Sequence, residues 1–103
     1  MVSTVQRRKI EILVDGPLLR RVVAAAEDAG VTGYTLLPVL GGAGHSGRWS
    51  DDQVTGADAK ILFVTITSEA KAAALTDALA PLLASHGLLL VSGIVDVVRA
   101  EKF

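Results

Sequence analysis

The sequence runs twice through one order of elements, strand–helix–strand, and this repeat limits the folds open to the chain. Residues 8–14 alternate with a period of two, as in a strand. Pro17 predicts a helix start and Gly30 predicts the helix end. Residues 33–40 form a second predicted strand. Pro38 places that strand at or near a sheet edge, because proline has no N–H donor for the ladder.

The second half repeats this order. Residues 60–66 form a predicted third strand that is apolar on both faces. Ser68 is a predicted N-cap, and Gly87 is predicted to stop the helix that follows. Pro81 lies within this helix, so we expect a kink or break near Ala80.

A last strand is predicted over residues 88–99, with a bulge at Gly93. The order βαββαβ predicts an α+β, ferredoxin-like fold with a four-stranded antiparallel sheet and two helices on one face. With 103 residues the chain is predicted to be one domain, 1–103, with a long flexible loop after strand two, at about 41–59.

Composition narrows the functional classes. Hydrophobic residues make up 50% of the chain and charged residues 20%, which excludes disorder for most of it. Cysteine is absent, so thiolate metal sites and disulfide scaffolds are excluded. The net charge of −1 argues against nucleic-acid binding, which depends on phosphate neutralisation. We find no signal peptide and no apolar run long enough to span a membrane, and we expect a cytoplasmic protein.

The apolar content exceeds what a small monomer needs. Two helices cover one face of a four-stranded sheet, so the other face should be polar. Leu13, Leu37 and Val39 instead place apolar side chains there, and the mean hydropathy of the chain is +0.48. We therefore expect the uncovered face to be buried against copies of the same chain.

Few residues suit catalysis or metal binding. His45 and His86 are the only histidines, and neither has a second metal ligand at a typical spacing. The loop acids Asp51, Asp52 and Asp58 could hold a hard cation but more often only solvate a loop. No enzyme motif is present, and we predict neither a catalytic residue nor a metal site.

The predicted loop is the strongest functional feature. Residues 41–58 hold five of the ten glycines, and irregular loops above about 12–15 residues are usually functional. Gly47-Arg48 combines exposed backbone donors with a guanidinium, which suits phosphate binding, although a merely flexible loop has the same composition. Trp49, the only tryptophan, is either a partner or ligand anchor or a side chain that packs back onto its own sheet.

Two segments resemble a known family. Ala29-Gly30-Val31-Thr32-Gly33-Tyr34-Thr35 before the loop, and the closing Val97-Val98-Arg99-Ala100-Glu101-Lys102-Phe103, resemble the PII-like signalling proteins. The resemblance covers almost the whole chain and is nearest to the branch associated with carboxysomes and bicarbonate transport.

The resemblance implies a trimer that binds adenine nucleotides in the clefts between subunits and signals to a partner protein, such as a membrane transporter, through the loop. It implies that Gly33, Tyr34 and Thr35 line the cleft. It also assigns nucleotide contacts in the loop, the second loop and the last strand to Gly47, Arg48, Gly87 and Arg99.

The sequence departs from the nitrogen-regulatory members of that family. His86-Gly87-Leu88-Leu89 stands where they have Gly-Asp-Gly-Lys, and the long loop has no modifiable tyrosine. Without that lysine a triphosphate would be held less firmly, so we expect AMP or ADP as the ligand. The branch suggests bicarbonate as a second ligand, and no cofactor is expected to be obligatory.

Other interpretations of the same fold stay open. A trimer of the divalent-cation-tolerance type would bind metal, although cysteine is absent and histidine scarce. An acylphosphatase-like enzyme would need an asparagine, and the sequence has none. A plain assembly module that binds no small molecule is also consistent with the fold.

Overall fold

The computed structural model describes residues 3–44, 47–50 and 59–98. In this part of the chain, six strands and two α-helices follow one another, with a short 3₁₀ turn at Gly16–Leu18. In chain order they are β1 (Val5–Asp15), α1 (Leu19–Asp28), β2 (Thr35–Pro38), β3 (Gly41–Gly44), β4 (Gly47–Ser50), β5 (Lys60–Thr67), α2 (Glu69–His86) and β6 (Leu89–Val97).

Four strands form one antiparallel sheet in the order β2-β5-β1-β6. The two central strands, β1 and β5, pair from Arg8↔Thr67 to Asp15↔Lys60. β2 is an edge strand, which confirms the prediction made from Pro38. The predicted α+β, ferredoxin-like plan is therefore confirmed.

The two helices cover one face of the sheet and bury it. Ile10, Ile12 and Val14 of β1 and Phe63 of β5 have no exposed surface. From the helices, α1 contributes Val22 and Ala26 to this core, and α2 contributes Ala72, Leu75, Leu79 and Leu82. Burial of an aliphatic side chain contributes about 1.5–3 kcal/mol, so this layer is a major source of the stability of the fold.

The opposite face of the sheet, called the open face below, carries an apolar row across all four strands. Strand pairing aligns Leu37 with Leu62, Leu62 with Leu13, and Leu13 with Leu89. Leu37 is 45% exposed and Leu89 58% exposed. No element within the described residues covers this row, as the sequence led us to expect.

The caps of the helices follow local chemistry. The Ser68 hydroxyl accepts a hydrogen bond from the Lys71 backbone N–H at 3.2 Å, as expected of an N-cap. Gly87 is the C-cap of α2 in the left-handed conformation. Both predictions are confirmed.

Two predictions about element interiors are wrong. α2 is unbroken from Glu69 to His86 although it contains Pro81, because Leu79 and Leu82 on either side of the proline are buried in the core. β6 has no bulge at Gly93. Its register against β1 is uninterrupted from Val5↔Val97 to Leu13↔Leu89, since glycine fits a regular strand without strain.

The segment after β2 differs from the predicted irregular loop. β3 and β4 pair as a hairpin from Gly41↔Ser50 to Gly44↔Gly47. Alternation is hard to detect in this segment because glycine has no side chain to mark a face. Residues 45–46 and 51–58 lie outside the described residues, so the predicted flexibility of the loop stays a prediction.

Gly30 makes the exit from α1 possible. Its φ of +87° is in the left-handed region, and it lets the Val31 N–H bond the Ala26 carbonyl at 2.9 Å. Alanine at this position would lose about 1–2 kcal/mol to backbone strain, partly offset by a stiffer unfolded chain.

We expect Gly30→Ala to lower the stability by about 1 kcal/mol, and the melting temperature by about 4–8 °C at a fixed protein concentration. Thermal unfolding followed by circular dichroism measures this. Gly33→Ala is the matched control, since the φ of Gly33 is not positive and a Cβ there would meet nothing within 4 Å. Equal losses in the two variants would contradict the assignment of strain to Gly30.

Candidate functional site

A groove of about 220 Å³ opens where β5 ends and β2 begins. Its walls are the segment Val31–Thr35, the strand end Val64–Thr67 and, from the first turn of α2, Lys71. Four threonines line it, so hydroxyl groups stand beside the apolar surface of three aliphatic side chains. A concave site of this mixed character suits a small polar molecule with a flat apolar part.

A buried hydroxyl fixes one wall of the groove. Thr65 is 2% exposed, and its Oγ1 donates a hydrogen bond of 2.6 Å to the carbonyl of Gly33. This bond joins the segment before β2 to β5 just ahead of their first ladder pair, Thr35↔Val64. The backbone of the Gly33–Thr35 segment is thereby held in place before any ligand arrives.

An aromatic pair supports the same wall. The ring of Tyr34 stacks on that of Phe63, with centroids 5.1 Å apart and an interplanar angle of 22°. Phe63 is fully buried, whereas Tyr34 is 40% exposed. Tyr34 thus continues the core out to the groove surface and presents a rigid ring there.

The groove brings together Gly33, Tyr34 and Thr35, the three residues predicted to line a cleft. None of the other predicted contacts is among its lining residues in the described part of the chain. Gly47 and Arg48 open β4, where their backbones pair with Gly44 and Ala43 of β3. Trp49 follows in the same strand, opposite Gly42.

Gly87 is far from the groove within one chain. It caps the C-terminus of α2, whereas Lys71 lines the groove from the N-terminal turn of the same helix. At 1.5 Å per residue the helix separates the two by about 24 Å. A Cβ at Gly87 would meet nothing within 4 Å, so its place in the subunit is that of a helix cap at the surface.

Arg99 lies outside the described residues. The strand before it, β6, ends at Val97, opposite Val5 at the start of β1. That is the end of the sheet at which β5 finishes and the groove opens.

The predicted site residues that the structure describes therefore fall at two ends of one sheet. The end at which β2 finishes and β5 starts, called the loop end, carries the β3–β4 hairpin and Gly87. The other, called the groove end, carries Gly33–Thr35 and the close of β6. From Lys60 to Thr67 the ends are about 23 Å apart along β5.

An ion pair marks the loop end. Lys60, the first residue of β5, pairs with Asp15, the last residue of β1. Beside it the Gly16 N–H bonds the Ala59 carbonyl at 2.8 Å, and the Val39 N–H bonds the Lys60 carbonyl at 3.2 Å. These contacts fix the point at which the chain leaves the sheet after β2 and the point at which it returns to the sheet at β5.

The sequence analysis does not identify Lys71 as a residue that lines the groove. Its position three residues after the N-cap Ser68 was readable, and a cation in the first turn opposes the helix dipole. A lysine at a position that favours acidic residues is therefore the sequence signal that points to a function for Lys71. That Lys71 lines the same groove as the segment before β2 could not be predicted, because this placement depends on the tertiary packing of α2.

The described part of the chain holds no group of three or more histidine, cysteine, aspartate or glutamate side chains that could bind a metal ion. The candidate ligands His45, Asp51, Asp52 and Asp58 lie outside it. Neither of the two helices described combines the length and apolar character needed to cross a membrane.

The family is decided by a comparison with protein-family models. The model of nitrogen regulatory protein P-II matches residues 7–102. The chain belongs to the P-II family. No curated protein matches it at a significant level. The P-II assignment agrees with the βαββαβ order and with the long segment between β2 and β5.

Solved structures support the P-II fold. CPII from Thiomonas intermedia K12, a nitrogen regulatory PII-like protein bound to ADP, AMP and bicarbonate, is 24% identical and superposes with a TM-score of 0.89 over 100% of this chain and 98% of that one. A second structure of CPII, bound to ADP and bicarbonate, gives a TM-score of 0.86 at 24% identity, with 100% and 99% covered. A protein of Thermus thermophilus, assigned as PII-like, gives 0.80 at 25% identity, with 98% of each chain covered.

Proposed function

We propose that this P-II family protein is a homotrimeric regulator that binds AMP or ADP between its subunits and signals to a partner protein through the segment between β2 and β5. Bicarbonate is the proposed second ligand, which would link the protein to inorganic carbon metabolism. In this proposal it is cytoplasmic and acts by binding, without catalysing a reaction.

The observation that carries the proposal is the placement of the predicted contacts at opposite ends of the sheet. A site that uses both sets needs the loop end of one subunit against the groove end of the next. A two-fold dimer brings identical patches together, whereas head-to-tail contacts between unlike patches close into a ring. A ring of three such subunits would complete three equivalent sites.

The open face supports the same arrangement. Leu37, Leu62, Leu13 and Leu89 form a continuous apolar row that no described element of the same subunit covers. If the three sheets face the axis of the ring, these rows pack against one another. At about 25 cal/mol per Å² of apolar surface removed from water, such a contact would stabilise the trimer.

The groove end favours a nucleotide as the ligand. Tyr34 presents a rigid ring beside backbone held by Thr65, which suits a planar base. CPII, which has the same fold, is bound to ADP, AMP and bicarbonate in its solved structure. Loop amides, Arg48 and Arg99 would then supply the donors for the phosphates.

Calorimetric titration with AMP, ADP, ATP and adenosine tests the proposal. We expect one nucleotide per subunit, tighter binding of AMP or ADP than of ATP, and a competing or cooperative effect of bicarbonate. Ligand at a hundred times its Kd should stabilise the fold by about 2.7 kcal/mol. The absence of both binding heat and thermal stabilisation with every adenine nucleotide would refute it.

Trp49 is the proposed partner or ligand anchor of this segment. We expect the single tryptophan to emit at water-like wavelengths and to be quenched by iodide in the ligand-free protein. Fluorescence titration measures this directly. A blue-shifted emission that iodide does not quench would instead support packing of Trp49 onto its own sheet.

A further inference from the structure

Lys71 is the one charged residue among those lining the groove in the described part of the chain. The other lining side chains are threonines, aliphatic residues and Tyr34. Among the described residues, no carboxylate lines the groove to neutralise the ammonium group. The lining residues that the structure describes therefore carry a net positive charge.

The nearest acid along α2 does not compensate Lys71. Glu69, two residues earlier, lies 3.9 Å from Arg8 of β1 and is directed toward that strand. Side chains two positions apart do not face each other on a helix. Lys71 also lies in the first turn of α2, where the helix dipole is positive and attracts an anion.

The aliphatic part of the Lys71 side chain packs beside Gly30, next to the groove. A methyl group at Gly30 would lie 3.4 Å from Cε of Lys71, 3.8 Å from Cδ and 3.9 Å from Cγ. The stem thus crosses Gly30, the residue that ends α1 and begins the turn toward Val31 in the groove wall. The aliphatic part of Lys71 therefore packs against this turn, while the residue as a whole stays exposed.

We infer that Lys71 is a ligand contact of the groove and that its partner is an oxyanion, either the phosphate of the nucleotide or bicarbonate. The inference rests on the proposed function for the identity of the ligand. An oxyanion would pair with an ammonium group that shares a groove with four threonines and no described carboxylate, at the positive end of a helix. Contact with a base edge is the competing outcome, which adenosine distinguishes.

Titration of Lys71→Gln and Lys71→Arg with AMP, adenosine and bicarbonate tests the inference. Because Lys71 is exposed, solvent screens its charge, and we expect Lys71→Gln to weaken oxyanion binding by about 3- to 10-fold. Lys71→Arg should bind nearly as the parent does, and adenosine should bind all variants equally. Arg21→Gln is the matched control, since Arg21 is an exposed cation of α1 outside the groove.

The outcomes separate the two sources of the oxyanion. A loss for AMP alone assigns the phosphate, and a loss for bicarbonate alone assigns bicarbonate. Equal losses for AMP and adenosine would overturn the inference in favour of a base contact. Unchanged affinities for AMP and bicarbonate in Lys71→Gln would overturn it altogether while leaving the proposed function intact.

Acylation of lysine amines followed by mass spectrometry gives a second readout in the unmodified sequence. We expect AMP or bicarbonate to protect Lys71 severalfold and to leave the Lys9 rate unchanged. Protection by bicarbonate in a protein that binds no nucleotide would sustain the inference while the nucleotide part of the proposed function fails. If neither AMP nor bicarbonate changes the rate at Lys71, the inference fails.

Discussion

Replacing Arg48 with alanine should weaken the binding of AMP and ADP by about 10- to 100-fold. A charge-assisted hydrogen bond contributes about 1.5–3 kcal/mol, and each 1.4 kcal/mol is about a factor of ten in affinity. Arg48 lies in the β3–β4 hairpin, whose strands pair with each other and not with the four-stranded sheet. The ligand-free melting temperature and the oligomeric state should therefore stay within error of the parent.

Adenosine is the control ligand for this variant. It has no phosphate, so its affinity should be nearly equal in the parent and in Arg48→Ala. Calorimetry with AMP, ADP and adenosine on both proteins measures the difference. Parent-like affinity for AMP and ADP in the variant would make Arg48 a solvated residue of the hairpin and remove it from the site.

An aspartate on the open face should break the proposed trimer. Leu37→Asp places a carboxylate in the apolar row, beside Leu62 of β5. Burial of a charge without a partner costs several kcal/mol, and each buried leucine contributes about 1.5–3 kcal/mol. We expect the dissociation constant of the trimer to rise by at least about a hundredfold, so that a monomer predominates at micromolar concentration.

Leu36→Asp provides a closely matched control. Leu36 is the neighbour of Leu37 in β2, is 40% exposed against 45%, and points to the opposite face of the sheet. It should leave the trimer intact at the same concentration. Analytical ultracentrifugation of the parent and both variants is the measurement, with circular dichroism to verify folding. A folded parent that sediments as a monomer would refute the trimer.

Local chemistry predicted the features that depend on a few neighbouring residues. The N-cap at Ser68 and the left-handed cap at Gly87 follow from one side chain or its absence. The edge position of β2 follows from the missing N–H of Pro38. In each case the backbone geometry decides the residue type, so the residue type indicates the geometry.

The errors arise where packing overrides local preference. Pro81 removes one hydrogen bond from α2, but Leu79 and Leu82 beside it are buried in the core and keep the helix continuous. Gly93 permits a bulge without requiring one, and regular pairing with Lys9 keeps every ladder bond beside it. Composition alone does not reveal whether the local preference of a proline or glycine or the packing and pairing around it has the larger effect.

The sequence predicts individual candidate residues for the site but not their arrangement. Gly33, Tyr34 and Thr35 share one groove because they are adjacent in the chain. The separation of Gly87 from them depends on the direction of α2 across the sheet, and the presence of Lys71 depends on how α2 packs beside Gly30. Both are tertiary relations between segments distant in sequence.

The two ends of the segment between β2 and β5 are held together at the loop end of the sheet. The pairing of Pro38 with Ile61, the ion pair of Lys60 with Asp15 and the backbone hydrogen bonds of Val39 and Ala59 bring the ends of the intervening segment together. The entropy of closing a loop grows slowly, by about 0.6 kcal/mol for each doubling of its length. The segment between Pro38 and Lys60 can therefore change in length and sequence among relatives at little cost to the stability of the fold.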